Sequence, residues 1–443
     1  MSQHTRRTFL TTTGTVLGGI AVGSTVTAAT RTERFIVRTR ERRTPSAVEV
    51  VHEMPGVDVA VVRGSESAVA ESAAVEAYAP DVEVDVDLPA PSDAAPTVEE
   101  TSVGDEPGYG LQWDKQDLDV ADAHRVTEGE GSRVTVIDTG VAAGHPDLTV
   151  NEELSRNFTG DGFGAATPAG GYHGTHVAGI VGASDDGGGV IGTAPATELV
   201  DCRVFSPASS ASFGDILAAV VYSAAIGADA ANLSLGAYPV PRRGFGSFYG
   251  KVLNSVMTYA NSRGTLLVAA AGNDGADLQH DGNVVSLPNE GAQGFSVAAT
   301  GPIGFGWDAA DESPPQSPAF YTNYGTNAVD LAAPGGDAHL GAIGSGVPYY
   351  LDLVFNTIAE PIYETDEDGD VTGIDDVEYT YSWLAGTSMA APQVAGAVAL
   401  LRSEYPDLNA NQVASRLRRV AEVPDGYDKS YYGAGYLNVV DAL

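Results

Sequence analysis

A serine, a histidine and an aspartate each stand in a local setting that suits one step of nucleophilic catalysis. Ser388 lies in the run Gly386-Thr387-Ser388-Met389-Ala390-Ala391-Pro392. Thr387 and Ser388 are favoured N-cap residues and Pro392 is tolerated in a first turn. Val394, Ala395, Val398 and Leu401 continue at helical spacing, so the run predicts a helix that opens on a hydroxyl. Free N–H groups and positive dipole character at such a mouth stabilise an oxyanion formed as the hydroxyl attacks a carbonyl, once a base takes the proton. Taken alone, the serine is an ordinary helix cap. Its partners elsewhere in the chain change that reading.

Val134-Thr135-Val136-Ile137 reads as a short buried strand that delivers Asp138 into the turn Thr139-Gly140. Tyr172-His173-Gly174-Thr175-His176-Val177-Ala178-Gly179 predicts a second helix with a histidine at its mouth. Leu266 to Ala271 is another apolar strand and ends on Gly272-Asn273, where a side-chain amide can donate to an oxyanion. In open parallel α/β sheets the site lies beyond the carboxyl ends of the strands, which is where Asp138 and Asn273 would sit.

Five motifs in order resemble the subtilase family of serine peptidases. They are Val136-Ile-Asp138-Thr-Gly140, His173-Gly-Thr-His-Val-Ala-Gly179, Asn232-Leu-Ser-Leu-Gly236, Ala270-Ala-Gly-Asn273 and Gly386-Thr-Ser-Met-Ala-Ala-Pro392. The resemblance spans about Tyr109 to Leu443. It implies an α/β fold with three layers and a mostly parallel central sheet. It further implies that Ser388 attacks the scissile carbonyl, His173 accepts and returns the proton, and Asp138 fixes the imidazole. Asn273 and the Ser388 N–H would form the oxyanion hole. Ser234, Leu235 and Gly236, with Ala270, Ala271 and Gly272, match the segments that line the substrate pocket and pair with substrate as an added strand. Their small neutral walls favour apolar or aromatic side chains before the scissile bond, with a floor near Val284 to Pro288.

Other chemistries fit less well. Asp138-Thr139-Gly140 is also the aspartic-protease tripeptide, but no second copy exists to share a proton. His173 and His176 could be half of a metal site, yet no third His or Cys ligand is placed by a motif, so His176 reads as structural. Sedolisins share the fold but use a glutamate as base, and the intact His173-Gly-Thr-His176 points away from them. A subtilase-fold binding protein without catalysis is disfavoured by the four intact positions, while a peptidase dedicated to one processing target stays open.

The resemblance also implies structural calcium. His145-Pro-Asp147-Leu matches a carboxylate-ligand pattern and Ser184 to Val190 matches a ligand loop in length, so Asp147 and Asp186 are the carried-over ligands, with Asp105 a weaker third. Hard oxygen donors on a glycine-rich loop suit Ca²⁺. Asp366-Glu-Asp-Gly-Asp370 resembles half an EF-hand, but Val371 occupies the glycine position, and a solvated hairpin tip is the better reading. It lies in a stretch between Pro334 and Gly386 that is longer than a minimal subtilase needs.

Composition bounds the setting. The 443 residues carry 59 Asp and Glu against 23 Lys and Arg, a formal charge of −36, and the only lysines are Lys115, Lys251 and Lys429. An acidic, lysine-poor surface suits very high salt, where self-repulsion is screened, and resembles the halolysin-type secreted proteases of halophilic archaea. Nucleic acid and anionic membranes are excluded as partners. Cys202 is single, so no intrachain disulfide forms.

Residues 1–28 read as a twin-arginine signal peptide, with Arg6-Arg7-Thr-Phe-Leu10 before a weakly apolar stretch and Val26-Thr-Ala28 as a small-residue cleavage site. The mature chain is therefore expected to be extracellular, free of the membrane and monomeric. Residues 32–88 resemble the inhibitory subtilase propeptide, a small ferredoxin-like α+β domain. Strands are predicted at Arg34–Arg38, Val57–Val62 and Val82–Leu88, with a helix capped by Ser65 and running through Val75. Residues 89–107 read as a linker carrying the maturation site, and 109–443 as the catalytic domain. No binding domain is expected after Leu443.

Overall fold

The computed structural model describes residues 30–40, 45–46, 48–85, 106–207, 210–243 and 245–443. The expected signal peptide, Asp105 and nearly all of the expected linker lie outside them.

The amino-terminal part alternates apolar and polar residues, and it folds as strands β1 (Thr30–Thr39), β2 (Glu49–Met54), β3 (Val59–Arg63) and β4 (Val75–Asp85), with helix α1 (Glu66–Glu71) between the last two. All pairings are antiparallel, in the order β2-β3-β1-β4. Ser65 caps α1 through Ala68 N–H, as the sequence predicts, but the helix stops at Glu71. Val75, expected as its last residue, begins β4 instead. That strand starts seven residues earlier than the alternating run Val82–Leu88, because Val75 to Pro80 pair with β1 across an otherwise open edge. Strand β2 was not anticipated.

The larger part is built on a parallel sheet. Its strands are β5 (Arg133–Asp138), β6 (Arg156–Asn157), β7 (Glu198–Arg203), β9 (Ala230–Leu233), β11 (Leu266–Ala270), β13 (Gly294–Thr300) and β14 (Leu331–Pro334), in the order β14-β13-β11-β9-β5-β7-β6. The strands β5, β9, β11 and β14 are almost wholly apolar and buried, as a sheet covered on both faces requires. One face is covered by α4 (Phe213–Ala225) and α5 (Phe245–Ser262), and the other by α3 (His173–Gly182) and α6 (Thr387–Glu404); a short helix, α2 (Trp113–Asp117), packs nearby. Every residue of α6 from Thr387 to Leu401 is buried. Its alanines and Gly396 permit this, since a Cβ on Gly396 would come within 2.5 Å of the Thr193 side chain.

Two further ribbons complete the fold. Strands β10 (Ala237–Pro241) and β12 (Val284–Leu287) pair antiparallel as a separate two-stranded ribbon. Strands β15 (Val354–Thr365) and β16 (Val371–Leu384) form a long hairpin whose root is buried and whose turn at Asp366–Asp370 is exposed, matching the expected solvated tip. The short strand β8 (Ser210–Ser212) joins β4, so the amino-terminal sheet continues onto the larger part of the molecule.

Candidate active site

Parallel strands deliver their carboxyl ends to one rim, and three neighbouring strands deliver the expected residues there. Asp138 ends β5, Ser234-Leu235-Gly236 follow β9, and Ala271-Gly272-Asn273 follow β11. Helices α3 and α6 start at the same rim with His173 and Thr387-Ser388.

Asp138 and His173 are both buried, and His173 Nδ1 lies 2.8 Å from Asp138 Oδ1. Thr139 builds the geometry from the backbone outward. Its N–H donates to Asp138 Oδ1 at 2.7 Å, and its hydroxyl donates to Gly171 O at 2.9 Å while accepting from Gly174 N–H at 2.9 Å. One residue thus ties the strand bearing the carboxylate to the helix bearing the imidazole. Gly140 follows at φ +113°, where a Cβ would lie 2.0 Å from Thr167 O, so this turn accepts no side chain.

Ser388 is the second residue of α6, and the cap is Gly386, in extended conformation and without a side-chain bond. The expectation that Thr387 or Ser388 caps the helix is therefore corrected. Thr387 is instead committed to Asn273. Pro392 is likewise not in the first turn but inside the helix. Ser388 Oγ donates to Ser234 O at 3.2 Å, and among the described residues no hydrogen bond joins it to His173.

Asn273 Oδ1 accepts from Thr387 N–H at 2.9 Å and from Thr387 Oγ1 at 2.8 Å. A backbone N–H can only donate, so the amide orientation is fixed by chemistry, and Nδ2 faces the other way with its protons free to donate. Asp274, next in the chain, is raised by burial to about 6 despite a hydrogen bond from Asn323.

His176 donates Nε2–H to Ser382 O at 3.3 Å; burial, with the His173 charge adding, lowers it to about 3 and keeps it neutral. It is a structural histidine, as expected.

Several residues that shape the site were not anticipated. Arg203, on β7 beside Asp138, is fully buried and donates to both Asp161 oxygens at 2.7 Å and to Gly164 O and Phe205 O. Burial alone would raise Asp161, but the Arg203 guanidinium holds it at about 2. Asp201, raised to about 8 by burial, accepts from the N–H of Ala166, a residue held at φ +57°. Together they clasp the loop that leads to His173. The signal was present in the sequence, since Asp201 and Arg203 are charged residues in the buried part of a central strand.

The expected calcium ligands Asp147 and Asp186 do come together. A Cβ on Gly188 would lie 2.7 Å from Asp186 Oδ1 and 3.0 Å from Asp147 Oδ1, so the missing side chain leaves a cradle between two carboxylates. Asp147 Oδ1 is buried and has no hydrogen-bond partner. Glu106 meets this loop, accepting from the N–H groups of Asp186, Gly187 and Gly189 at 2.6–2.8 Å. Among the described residues no group of three or more His, Cys, Asp or Glu side chains forms a metal cage, so further oxygens would have to come from backbone carbonyls.

With this geometry in hand, comparison with known proteins is decisive. The profile of the subtilase family matches residues 129–435. The chain belongs to the subtilase family. It is 32% identical to subtilisin DY of Bacillus licheniformis over 335 residues, covering 75% of this chain and 96% of that protein. Thermitase of Thermoactinomyces vulgaris is 28% identical over 334 residues, covering 75% and 95%. Among solved structures, the epidermin leader peptide processing serine protease of Staphylococcus aureus aligns with a TM-score of 0.69 at 22% identity, over 95% of this chain and 98% of that one. At that identity the likeness concerns the fold, which in this subtilase is the subtilisin-like α/β fold with a parallel sheet. This subtilase is a serine endopeptidase, as the sequence predicts. No helix among its described residues is long and apolar enough to cross a membrane.

Proposed function

We propose that the chain is a secreted endopeptidase that works through Asp138, His173 and Ser388, with broad specificity and an apolar or aromatic preference before the scissile bond. The observation that carries this reading is the buried 2.8 Å pair of His173 and Asp138 on the rim where Ser388 opens a helix and Asn273 presents a free amide donor. Ser388 Oγ leaves the Ser234 carbonyl, gives its proton to His173 Nε2 and bonds the scissile carbon. The carbonyl electron pair moves onto oxygen, where Ser388 N–H and Asn273 Nδ2 receive it. His173 then passes the proton to the leaving nitrogen as the C–N bond breaks, and water repeats the sequence on the acyl-serine. Asp138 Oδ2 is buried without a partner, a charge that the transient imidazolium compensates.

Small residues at Gly236 and Ala270–Gly272 support the specificity reading, because they leave room without introducing charge. The match to a protein described as a leader peptide processing protease favours a second reading, a dedicated processor.

The amino-terminal sheet, built largely from the expected propeptide, acts as an intramolecular inhibitor. Support comes from its docking. Strand β4 pairs antiparallel with β8, Asp81 Oδ1 accepts the Gly214 N–H in the first turn of α4 at 2.9 Å, and Arg34 pairs with both Asp81 and Asp215 in full burial. Apolar side chains of β1, β3 and β4 share one core with α4 and α5. Calcium held between Asp147 and Asp186 would brace this loop electrostatically, and the cradle and the unpartnered oxygen fit a hard cation. The acidic surface fits a molar-salt medium, and Arg6-Arg7 fits twin-arginine export.

The test is to express the chain without residues 1–28 in molar salt with calcium, beside Ser388→Ala, following mass and casein hydrolysis. Wild type should shorten and then hydrolyse casein while the variant stays full length and inert. Shortening without casein turnover would favour the dedicated processor, and two inert full-length proteins would sink self-maturation.

A further inference from the structure

We infer that Asn323 is a positioning residue for the oxyanion hole, holding the backbone on both sides of Asn273. This inference rests on the role proposed for Asn273.

Thr387 fixes the side chain of Asn273 and accepts from Gly272 N–H at 3.1 Å, but it leaves Asp274 and Ala276, on the far side of Asn273, to be held by something else. Asn323 is fully buried and spans that loop with one amide. Its Nδ2 donates to Ala271 O at 3.0 Å and to Asp274 Oδ2 at 3.2 Å; its Oδ1 accepts from Asp274 N–H at 3.0 Å and from Ala276 N–H at 2.9 Å. Two obligate backbone donors on one side and an obligate acceptor on the other leave a single orientation for the amide. The backbone of the same segment adds a rail: Asn323 N–H donates to Gly272 O at 2.9 Å, Gly275 N–H to Tyr321 O at 2.7 Å and Tyr324 N–H to Ala276 O at 2.9 Å.

Gly272 shows how tight the fit is. It sits at φ +100°, and a Cβ there would come within 2.3 Å of Asn323 Nδ2. The chain turns at Gly272 directly against the Asn323 amide and emerges as Asn273. An aliphatic residue at position 323 would remove at once the acceptor of the Asp274 and Ala276 N–H groups and one of the two amide donors to Ala271 O. The geometry of an oxyanion donor must hold to within a fraction of an ångström, so a loop that relaxes loses transition-state binding before it loses substrate binding.

The test is a double-mutant cycle with a peptide p-nitroanilide, using matured enzyme quantified by active-site titration with phenylmethylsulfonyl fluoride. Asn323→Ala should lower kcat by about 10- to 100-fold with KM nearly unchanged. In an Asn273→Ala background the same substitution should have almost no effect on kcat, because the donor it positions is gone. Asn323→Asp, which keeps the shape and both accepted N–H bonds, runs through the same cycle should Asn323→Ala fail to fold. An equal loss in both backgrounds, a change confined to KM, or no change would overturn the inference. If Asn273→Ala itself leaves kcat intact, the oxyanion role fails, and the positioning role falls with it.

Discussion

Ser234 and Ser388 exchange hydrogen bonds: Ser234 Oγ donates to the Ser388 carbonyl at 2.7 Å, and Ser388 Oγ donates to the Ser234 carbonyl at 3.2 Å. The first bond exists because of Pro392. In a regular helix the Ser388 carbonyl would accept the N–H four residues on, and proline has none. Ser234 therefore completes a helix to which it does not belong.

Replacing Ser234 by Ala should leave that carbonyl unsatisfied and cost about 1–3 kcal/mol of stability. Urea unfolding in the inert Ser388→Ala background measures it without autolysis. Adding Pro392→Ala, which restores an N–H, should recover part of the loss; no recovery would mean that the carbonyl was not the cause.

Asn273→Ala should lower kcat by about 10²–10³-fold while KM stays close to wild type, a magnitude carried over from the same amide in a subtilisin. Steady-state kinetics on a peptide amide decide it. A rise in KM alone would assign Asn273 to substrate binding.

Lys115 gives a pH dependence with a definite sign. Its ammonium is wholly buried, donating to Ile180 O, Thr193 Oγ1 and Gln393 Oε1 at 2.6–2.9 Å, and burial lowers it to about 8, against the opposing pull of Asp114. An unfolded lysine titrates near ~10.4, so between about 8 and 10.4 the unfolded chain binds a proton that the folded chain does not. This contribution therefore raises stability as pH rises through that window, by up to about 3 kcal/mol. Comparing Ser388→Ala with Ser388→Ala/Lys115→Met from pH 7.5 to 10.5 isolates it. Parallel curves would show that Lys115 does not titrate there.

Arg34→Ala should loosen the amino-terminal sheet. It leaves Asp81 and Asp215 buried without their cation, and His52, 2.7 Å from Asp215, is the remaining partner for that carboxylate. Breaking a buried pair in this way costs about 3–5 kcal/mol. Hydrogen exchange on the full-length Ser388→Ala chain should quicken in β1 and β4 while β5, β9 and β11 keep their protection. Uniform quickening would mean that the two parts unfold as one.

Chelation should lower the melting temperature of wild type, with recovery on adding Ca²⁺, and Asp147→Asn should lose that response. An equal response in the variant would move the cation elsewhere.

The parts of this molecule legible in its sequence are those where a short apolar run ends on a chemically capable residue. Asp138 and Asn273 stand at such a junction, His173 opens a helix, and a parallel sheet brings them together. What escaped were side chains that act on distant parts of the chain. Asn323 serves a loop about fifty positions away, Glu106 one about eighty away, and Arg34 an aspartate much farther along. Nothing near Asn323 in the chain marks it, since all but one of its partners are peptide groups, which every residue has. The cap of α6 was misread for a related reason: Thr387 has the chemistry of a cap, but Asn273 claims its hydroxyl and amide. Strand β2 needed knowledge of β3, whose edge it covers.

The hairpin of β15 and β16 bonds to the histidine helix at its root, through Thr357 to Thr175 O and Ser382 O to His176, and then runs by way of Ala385 and Gly386 into the serine helix. Farther out Tyr363 still donates to Ala169 O at 2.9 Å, and only beyond it does the hairpin reach an exposed turn at Asp366–Asp370. The root is thus tied to both helices that carry the proposed catalytic residues, and the turn itself is left as a handle. Foreign sequence spliced at the tip, whether a reporter, an affinity tag or a whole domain, would ride on the enzyme without entering it.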